Sequence, residues 1–308
     1  MKFIVALWGN RYHQWQLMQK AVSEADRLGY WGYVMPDHYM RSGYPNGNST
    51  LDTWIALTYL AAKTKKIRLG TVVTPIPLRP PAILAKMVTT LDVISNGRVI
   101  LGVGAGWSEK EFRGYSQWDE KPNIRVNRTK EGLELILKLW ENDHNRRSSG
   151  VSFNGKYYSA DNAVLDPKPI QKPHPPLMFG GLGNRMLRLG GRYADICLIP
   201  PWIDKDFDDA KAIVLEEARR HSREKKISFA EIPNIAFQHM RRTIISSSSK
   251  PSRSSSSTSK YDSKAYARGI EQTLEHGCEY AIIPFPFESF IESMSDFARQ
   301  IMPSFARK

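Results

Sequence analysis

The sequence predicts an α/β fold, a closed (β/α)8 TIM barrel with an insertion between its fourth and fifth strands. Three observations predict it. Eight short apolar runs are spread along 308 residues, helical patterns fill the early intervals between them, and one interval is much longer than the rest. Several runs are apolar without alternation, as in a parallel sheet covered by helices on one face and filled on the other. Strand–helix alternation over this length suits a barrel better than an open sheet.

In chain order the strand-like runs are Phe3–Trp8, Trp31–Met35, Ile67–Thr74, Arg98–Val103, Pro176–Phe179, Ala194–Ile199, a weaker one within Ile232–Met240, and Glu279–Phe285. Helical spacing is carried by Met18, Ala21, Val22 and Ala25, by Leu84, Met87, Val88 and Leu91, and later by Leu133, Ile136, Leu137 and Trp140. Residues 1–308 read as a single barrel domain, with residues 108–175 as the excursion. That excursion is expected to hold a helix over Arg128–Trp140, a short hairpin around Ser152–Tyr158 and proline-stiffened chain from Asp166 to Pro176. Residues 246–260 contain ten serines and read as a flexible loop, either without a function of its own or able to cover the barrel mouth.

The net charge is +13, from 44 basic and 31 acidic residues. The densest basic stretch, Arg219 to Lys226, closes a helical pattern, where cations favour the helix dipole. No zinc-finger, RNP or basic-zipper signature accompanies it, so no nucleic-acid partner is expected. No apolar run approaches bilayer length and the N-terminal run is too short for a signal-peptide core, which predicts a cytoplasmic chain with no membrane partner. Cys197 and Cys278 lie in or beside apolar runs and read as buried thiols. No cluster of histidines and carboxylates has metal-ligand spacing, and no metal is expected.

On a barrel the residues just after each strand build the site. Here they are Gly9-Asn10, Asp37-His38, Thr71-Val72-Val73-Thr74-Pro75, Gly104-Ala105-Gly106-Trp107 with Glu109, Gly180–Asn184, and Pro200-Pro201-Trp202. His38 is the acid/base candidate, because an imidazole exchanges protons near neutral pH; Asp37 beside it could simply anchor a turn. Trp8, Val72, Val73, Trp107 and Trp202 offer walls for a flat conjugated ring, which leaves the hard chemistry to a cofactor. The stretch Leu177–Asp195 reads as strand, glycine turn and helix. Such a turn aims backbone N–H groups and a positive dipole end at an anion. Met186 stands where a dinucleotide fingerprint needs its third glycine and no P-loop lysine follows, so close packing of small residues is the alternative.

The run Gly97–Trp107 preceded by Leu91-Asp92-x-x-Ser95, the run Pro175-Pro176-Leu177-x-x-Gly180-Gly181-x-Gly183, and Ala194-Asp195 together resemble the bacterial luciferase-like flavin monooxygenase and deazaflavin oxidoreductase superfamily. The similarity extends from Met1 to about Trp202, and Asp37-His38 and Gly70–Pro81 fit it. The resemblance implies a (β/α)8 barrel with an insertion and a flavin-type ring at the strand ends. It places the cofactor phosphate near Gly180, Gly181, Leu182, Gly183 and Asn184. A non-proline cis peptide at Val72–Val73 would back the ring and His38 would lie near its reactive carbon. Asp37, Thr71, Gly104, Gly106 and Trp107 complete the implied cofactor set. Trp107 stands where some sugar-phosphate-oxidising relatives carry a glutamate, and Glu109 lies two residues on, which disfavours that substrate class.

The implied activity is hydride transfer between coenzyme F420, a deazaflavin with an anionic tail that suits the excess positive charge, and a small organic substrate. The alternative on the same fold is an FMN-dependent monooxygenase using reduced flavin and oxygen. An alternative of another class is a non-catalytic flavin-binding or nucleic-acid-associated protein. Relatives also imply a possible homodimer through helices near the second and third units.

Overall fold

The computed structural model describes residues 1–7, 14–40, 50–116, 121–141, 150–203, 205–236 and 261–305. In chain order its strands are β1 (Lys2–Ala6), β2 (Gly32–Met35), β3 (Arg68–Thr71), β4 (Thr74–Pro75), β5 (Val99–Gly104), β6 (Val151–Asn154), β7 (Ser159–Ala163), β8 (Leu177–Gly180), β9 (Ile196–Ile199), β10 (Ser228–Glu231) and β11 (Tyr280–Pro284). Around the barrel the order is β3-β2-β1-β11-β10-β9-β8-β5, closed by pairing of β3 with β5, and every pairing is parallel. On β1, Phe3 packs edge-on against Phe297 of the outer helix Phe290–Gln300 with ring centroids 5.2 Å apart. Its neighbour Ile4 therefore points inward. Both are buried, which is why these strands read as unbroken apolar runs.

Helices α1 (Trp15–Leu28), α2 (Thr53–Lys63) and α3 (Pro81–Ile94) follow the early strands. Their starts and stops follow local chemistry. Asp52 caps α2 by accepting from the Ile55 amide at 2.9 Å, and Pro81 opens α3, where its missing N–H is no loss. Between β5 and β8 lie the short helix α4 (Glu109–Glu111), a π-helical turn over Phe112–Ser116, helix α5 (Pro122–Glu141) and the antiparallel hairpin β6–β7. The turn of that hairpin is tied to α5: Glu131 Oε1 accepts from the amides of Tyr157 at 2.6 Å and Tyr158 at 2.8 Å. Helices α6 (Asn184–Tyr193) and α7 (Phe207–Arg220) complete the next two units.

Two strands differ from their sequence expectation. The seventh barrel strand is Ser228–Glu231, upstream of Ile232–Met240; Pro233 follows its end and residues 234–236 are helical. Its polar ends disguise it, and both are engaged: Ser228 Oγ donates to Glu279 Oε1 at 2.7 Å, and Glu231 Oε2 lies 2.9 Å from His276 Nδ1. The third strand is divided, β3 ending at Thr71 and β4 resuming at Thr74, with a cis peptide between Val72 and Val73. Trp8, Gly9, Asn10 and residues 246–260 lie outside the described residues. Among the described residues no helix is long and apolar enough to cross a membrane.

Candidate functional site

Asp37 follows β2 directly and is buried. Arg79 meets it with both guanidinium nitrogens, at 2.7 and 2.8 Å. The same carboxylate accepts from Thr74 Oγ1 at 2.8 Å and Trp54 Nε1 at 3.1 Å. Thr74 Oγ1 also lies 3.0 Å from Thr71 Oγ1, and Thr71 Oγ1 accepts from the Gly102 amide at 3.1 Å. This chain of bonds joins β2, β3, β4 and β5 beneath the mouth. A buried bidentate pair whose remaining lone pairs are bonded is the arrangement in which ion-pair attraction offsets desolvation.

His38 lies one residue beyond and is partly exposed. Its Nδ1 is 2.8 Å from Glu111 Oε2, and the Glu111 side chain is 3% exposed against 19% for His38. Glu111 Oε1 accepts from the amides of Tyr39 at 2.7 Å and Met40 at 3.0 Å. Burial works to raise the Glu111 pKa, but the hydrogen bond and charge of His38 with the two amides outweigh it and hold the carboxyl below its ordinary value. Trp107 is 66% exposed and meets the His38 ring edge-to-face at a centroid distance of 5.7 Å. The Arg79 guanidinium lies 4.6 Å from the Tyr39 ring centroid, and the Tyr115 ring meets Tyr39 at 4.8 Å.

The opposite side of the mouth is built from backbone. A Cβ on Gly104 would lie 2.4 Å from Val73 Cγ2, and one on Gly180 would lie 2.9 Å from Val73 Cγ1. Val73 therefore rests on the ends of β5 and β8 because both residues lack side chains. Gly106 has φ 74°, and its ring neighbour Phe112 would lie 2.7 Å from an added Cβ; glycine satisfies both demands. Arg125 Nε donates to the Gly106 carbonyl at 3.2 Å and fixes this turn to α5.

After β8 the chain turns through Gly181, Leu182 and Gly183 into α6. Gly183 is the N-cap and provides no side-chain acceptor; an added Cβ there would meet nothing within 4 Å. Leu182, Gly183 and Asn184 are exposed. Arg185, in the first turn, donates to the Asn123 carbonyl at 3.1 Å and to Asn127 Oδ1 at 2.5 Å. An uncapped helix start beside an arginine is a good electrostatic place for an anion.

The expected site residues thus divide. His38 and Trp107 are joined in one contact, Val73, Gly104 and Gly180 in another, and Gly181, Leu182, Gly183 and Asn184 form one turn. Asp37 and Thr71 lie beneath the mouth, fully hydrogen-bonded, and Val72 is buried beside them. Glu109 is directed outward, with its side chain 66% exposed and 3.9 Å from Arg113. Glu111 and Arg79 were not singled out by the sequence. The signal for Glu111 was the i,i+4 spacing of Glu109 and Arg113, which assigns Glu109 to the solvent face and leaves Glu111 for the interior. For Arg79 it was a cation directly after the apolar run Ile76-Pro77-Leu78.

Comparison with known proteins adds relatives to this geometry. The family model described as luciferase-like monooxygenase matches residues 3–250. An FMNH2-dependent dimethylsulfone monooxygenase of Pseudomonas putida is 30% identical over 177 residues, 58% of this chain and 46% of that protein. An F420-dependent glucose-6-phosphate dehydrogenase of Microbacterium testaceum is 33% identical over 175 residues, 56% of this chain and 48% of that protein. The matched region thus spans about half the length of these curated relatives. Among solved structures, an F420-dependent secondary alcohol dehydrogenase in complex with an F420–acetone adduct superposes with TM-score 0.79 at 20% identity, covering 100% of both chains. The coenzyme F420-dependent tetrahydromethanopterin reductase of Methanopyrus kandleri gives 0.74 at 20% identity, covering 99% of each. At those identities the superpositions establish the fold.

Proposed function

Because the chain belongs to the luciferase-like monooxygenase family, we propose that it is an F420-dependent oxidoreductase transferring a hydride between the deazaflavin and a small organic substrate. The observation that carries the reading is the glycine-backed mouth, where Val73 rests on Gly104 and Gly180 next to the uncapped start of α6 at Gly183. This is a surface for a flat ring with an anion-binding turn at its edge. Gly180–Asn184 would hold the phosphate, with Arg185 adding positive charge. Val73 would back the ring, and Asp37 and Thr71 would stiffen that support from below.

When bound, a deazaflavin accepts or gives a hydride at its central ring. His38 takes or returns the accompanying substrate proton at an imidazole nitrogen. Trp107, against His38, and Tyr115, against Tyr39, are exposed and give the substrate an apolar approach. The charge of +13 favours an anionic cofactor tail over a neutral one.

Titrating the protein with F420 and with FMN tests the assignment. Binding of F420 and its reduction by an alcohol without oxygen uptake is expected; oxygen uptake with reduced FMN would replace the reading with a flavin monooxygenase. His38→Ala should depress turnover while leaving cofactor affinity nearly unchanged. The exposed side chains of Ile55 and Tyr59 on α2 and of Ile83 and Ile94 on α3 further support a homodimer face. Light scattering should give twice the chain mass, and Ile55→Asp should shift it toward the monomer.

A further inference from the structure

The Glu111 carboxylate meets three nitrogens of one short segment, residues 38–40. The carboxylate belongs to α4, after β5, whereas the segment follows β2. Oε1 is committed to the Tyr39 and Met40 amides, so Oε2 cannot rotate away from the imidazole. A carboxylate at neutral pH only accepts, so the hydrogen in the 2.8 Å contact belongs to His38 Nδ1. The neutral ring then keeps its lone pair at Nε2.

The neighbouring charges are engaged with one another. Asp37 is matched by Arg79, and Arg79 is shared with Asp52 at 3.6 Å. The Arg79 guanidinium lies over the Tyr39 ring, Tyr115 meets Tyr39 at a tilt, and Trp107 meets the imidazole edge-to-face without a proton to exchange. The Glu111 carboxylate is in direct contact with the ring.

We propose that Glu111 is the positioning residue of His38: it holds the imidazole in the tautomer protonated on Nδ1 and fastens the 38–40 segment to the turn after β5. The proposal extends the reading of His38 as the proton-exchanging group and makes Nε2 the working nitrogen. An outer partner of this kind governs which imidazole nitrogen is available for chemistry.

The test is nitrogen NMR of the cofactor-free protein, with the His38 signals identified by their loss in His38→Gln. With the ring neutral, the wild type should show the proton on Nδ1. In Glu111→Gln the amide oxygen can keep the two backbone bonds and turn its NH2 toward Nδ1, which must then accept. The proton should move to Nε2, and kcat should fall by roughly tenfold to a hundredfold with KM little changed. Glu111→Asp should restore the Nδ1 proton and part of kcat, and the thermal midpoint of each variant separates this from loss of fold. Protonation on Nε2 in the wild type, or an unchanged tautomer in a folded Glu111→Gln, would overturn the proposal. A moved proton with unaltered turnover would uphold the positioning and remove His38 from the chemistry, a failure of the functional reading alone.

Discussion

The two sides of the barrel mouth solve different problems with different materials. Under the β2–β3–β5 side lie buried polar side chains: Asp37, Arg79, Thr74 and Thr71 in one hydrogen-bonded set, and Glu111 bonded to residues 38–40. On the β8–α6 side, Gly180 to Asn184 present backbone, and the helix start has no side-chain cap. One side is fixed by mutual satisfaction of charges in a low-dielectric setting; the other starts a helix without a side-chain acceptor. On the proposed function, rigidity sits where a proton would be aimed, and the uncapped helix start sits where the cofactor's anion would settle.

The largest effect should come from breaking the rigid side at its centre. Asp37→Asn keeps the shape but leaves the Arg79 charge buried without its bidentate partner, the situation that costs about 3–5 kcal/mol. Urea unfolding should report that loss, and the double variant Asp37→Asn/Arg79→Met should lose less than the sum of the single changes. An Asp37→Asn protein within about 1 kcal/mol of wild type would show that the pair adds little beyond an apolar contact.

The same contrast explains what was legible in the sequence. The barrel could be read because burial on both faces produces apolar runs, and the glycine turns because they punctuate those runs at Gly104, Gly106, Gly180 and Gly183. Ser228–Glu231 escaped because its polar ends are satisfied by partners at Glu279 and His276, far along the chain. Glu111 escaped for a related reason. Its meaning depends on a contact 73 residues away in sequence, and the nearer Glu109 drew attention by position alone. Backbone-built sites leave a local signature in glycine, whereas side-chain networks are assembled from separate segments and show only after folding.

A second, smaller effect should appear in acid. The folded-state pKa of Glu111 lies below its ordinary value: burial opposes this, and the bonds from His38, Met40 and Tyr39 prevail. A depressed carboxyl contributes stability that is complete above its unfolded pKa and is lost as pH falls through the folded value. Stability measured from about pH 6 down to about pH 3 should therefore decline. Glu24 and Asp26, at other places in the fold, have lowered values too and will share in the decline. The part due to Glu111 is the difference in slope between wild type and Glu111→Gln. Parallel curves would mean that the network transmits no proton-linked stability from this residue.

The smallest change in stability should accompany the most informative change in binding, at Gly183. This N-cap has φ −89° and ψ 149°, ordinary for any residue, and an added side chain meets nothing within 4 Å. Gly183→Ser therefore introduces no clash and provides the missing acceptor for the amides at the start of α6, a gain of a few tenths of a kcal/mol over glycine. Those amides are the donors assigned to the cofactor phosphate, so the hydroxyl competes with it. The protein should become slightly more stable while its affinity for F420, or for FMN, falls by about tenfold, the worth of one hydrogen bond to a charged group. Gly183→Ala separates bulk from competition, because its methyl fills the same space and accepts nothing. If alanine weakens binding as much as serine, the loss is steric; if neither weakens it, the anion is held elsewhere and the open side of the mouth has another purpose.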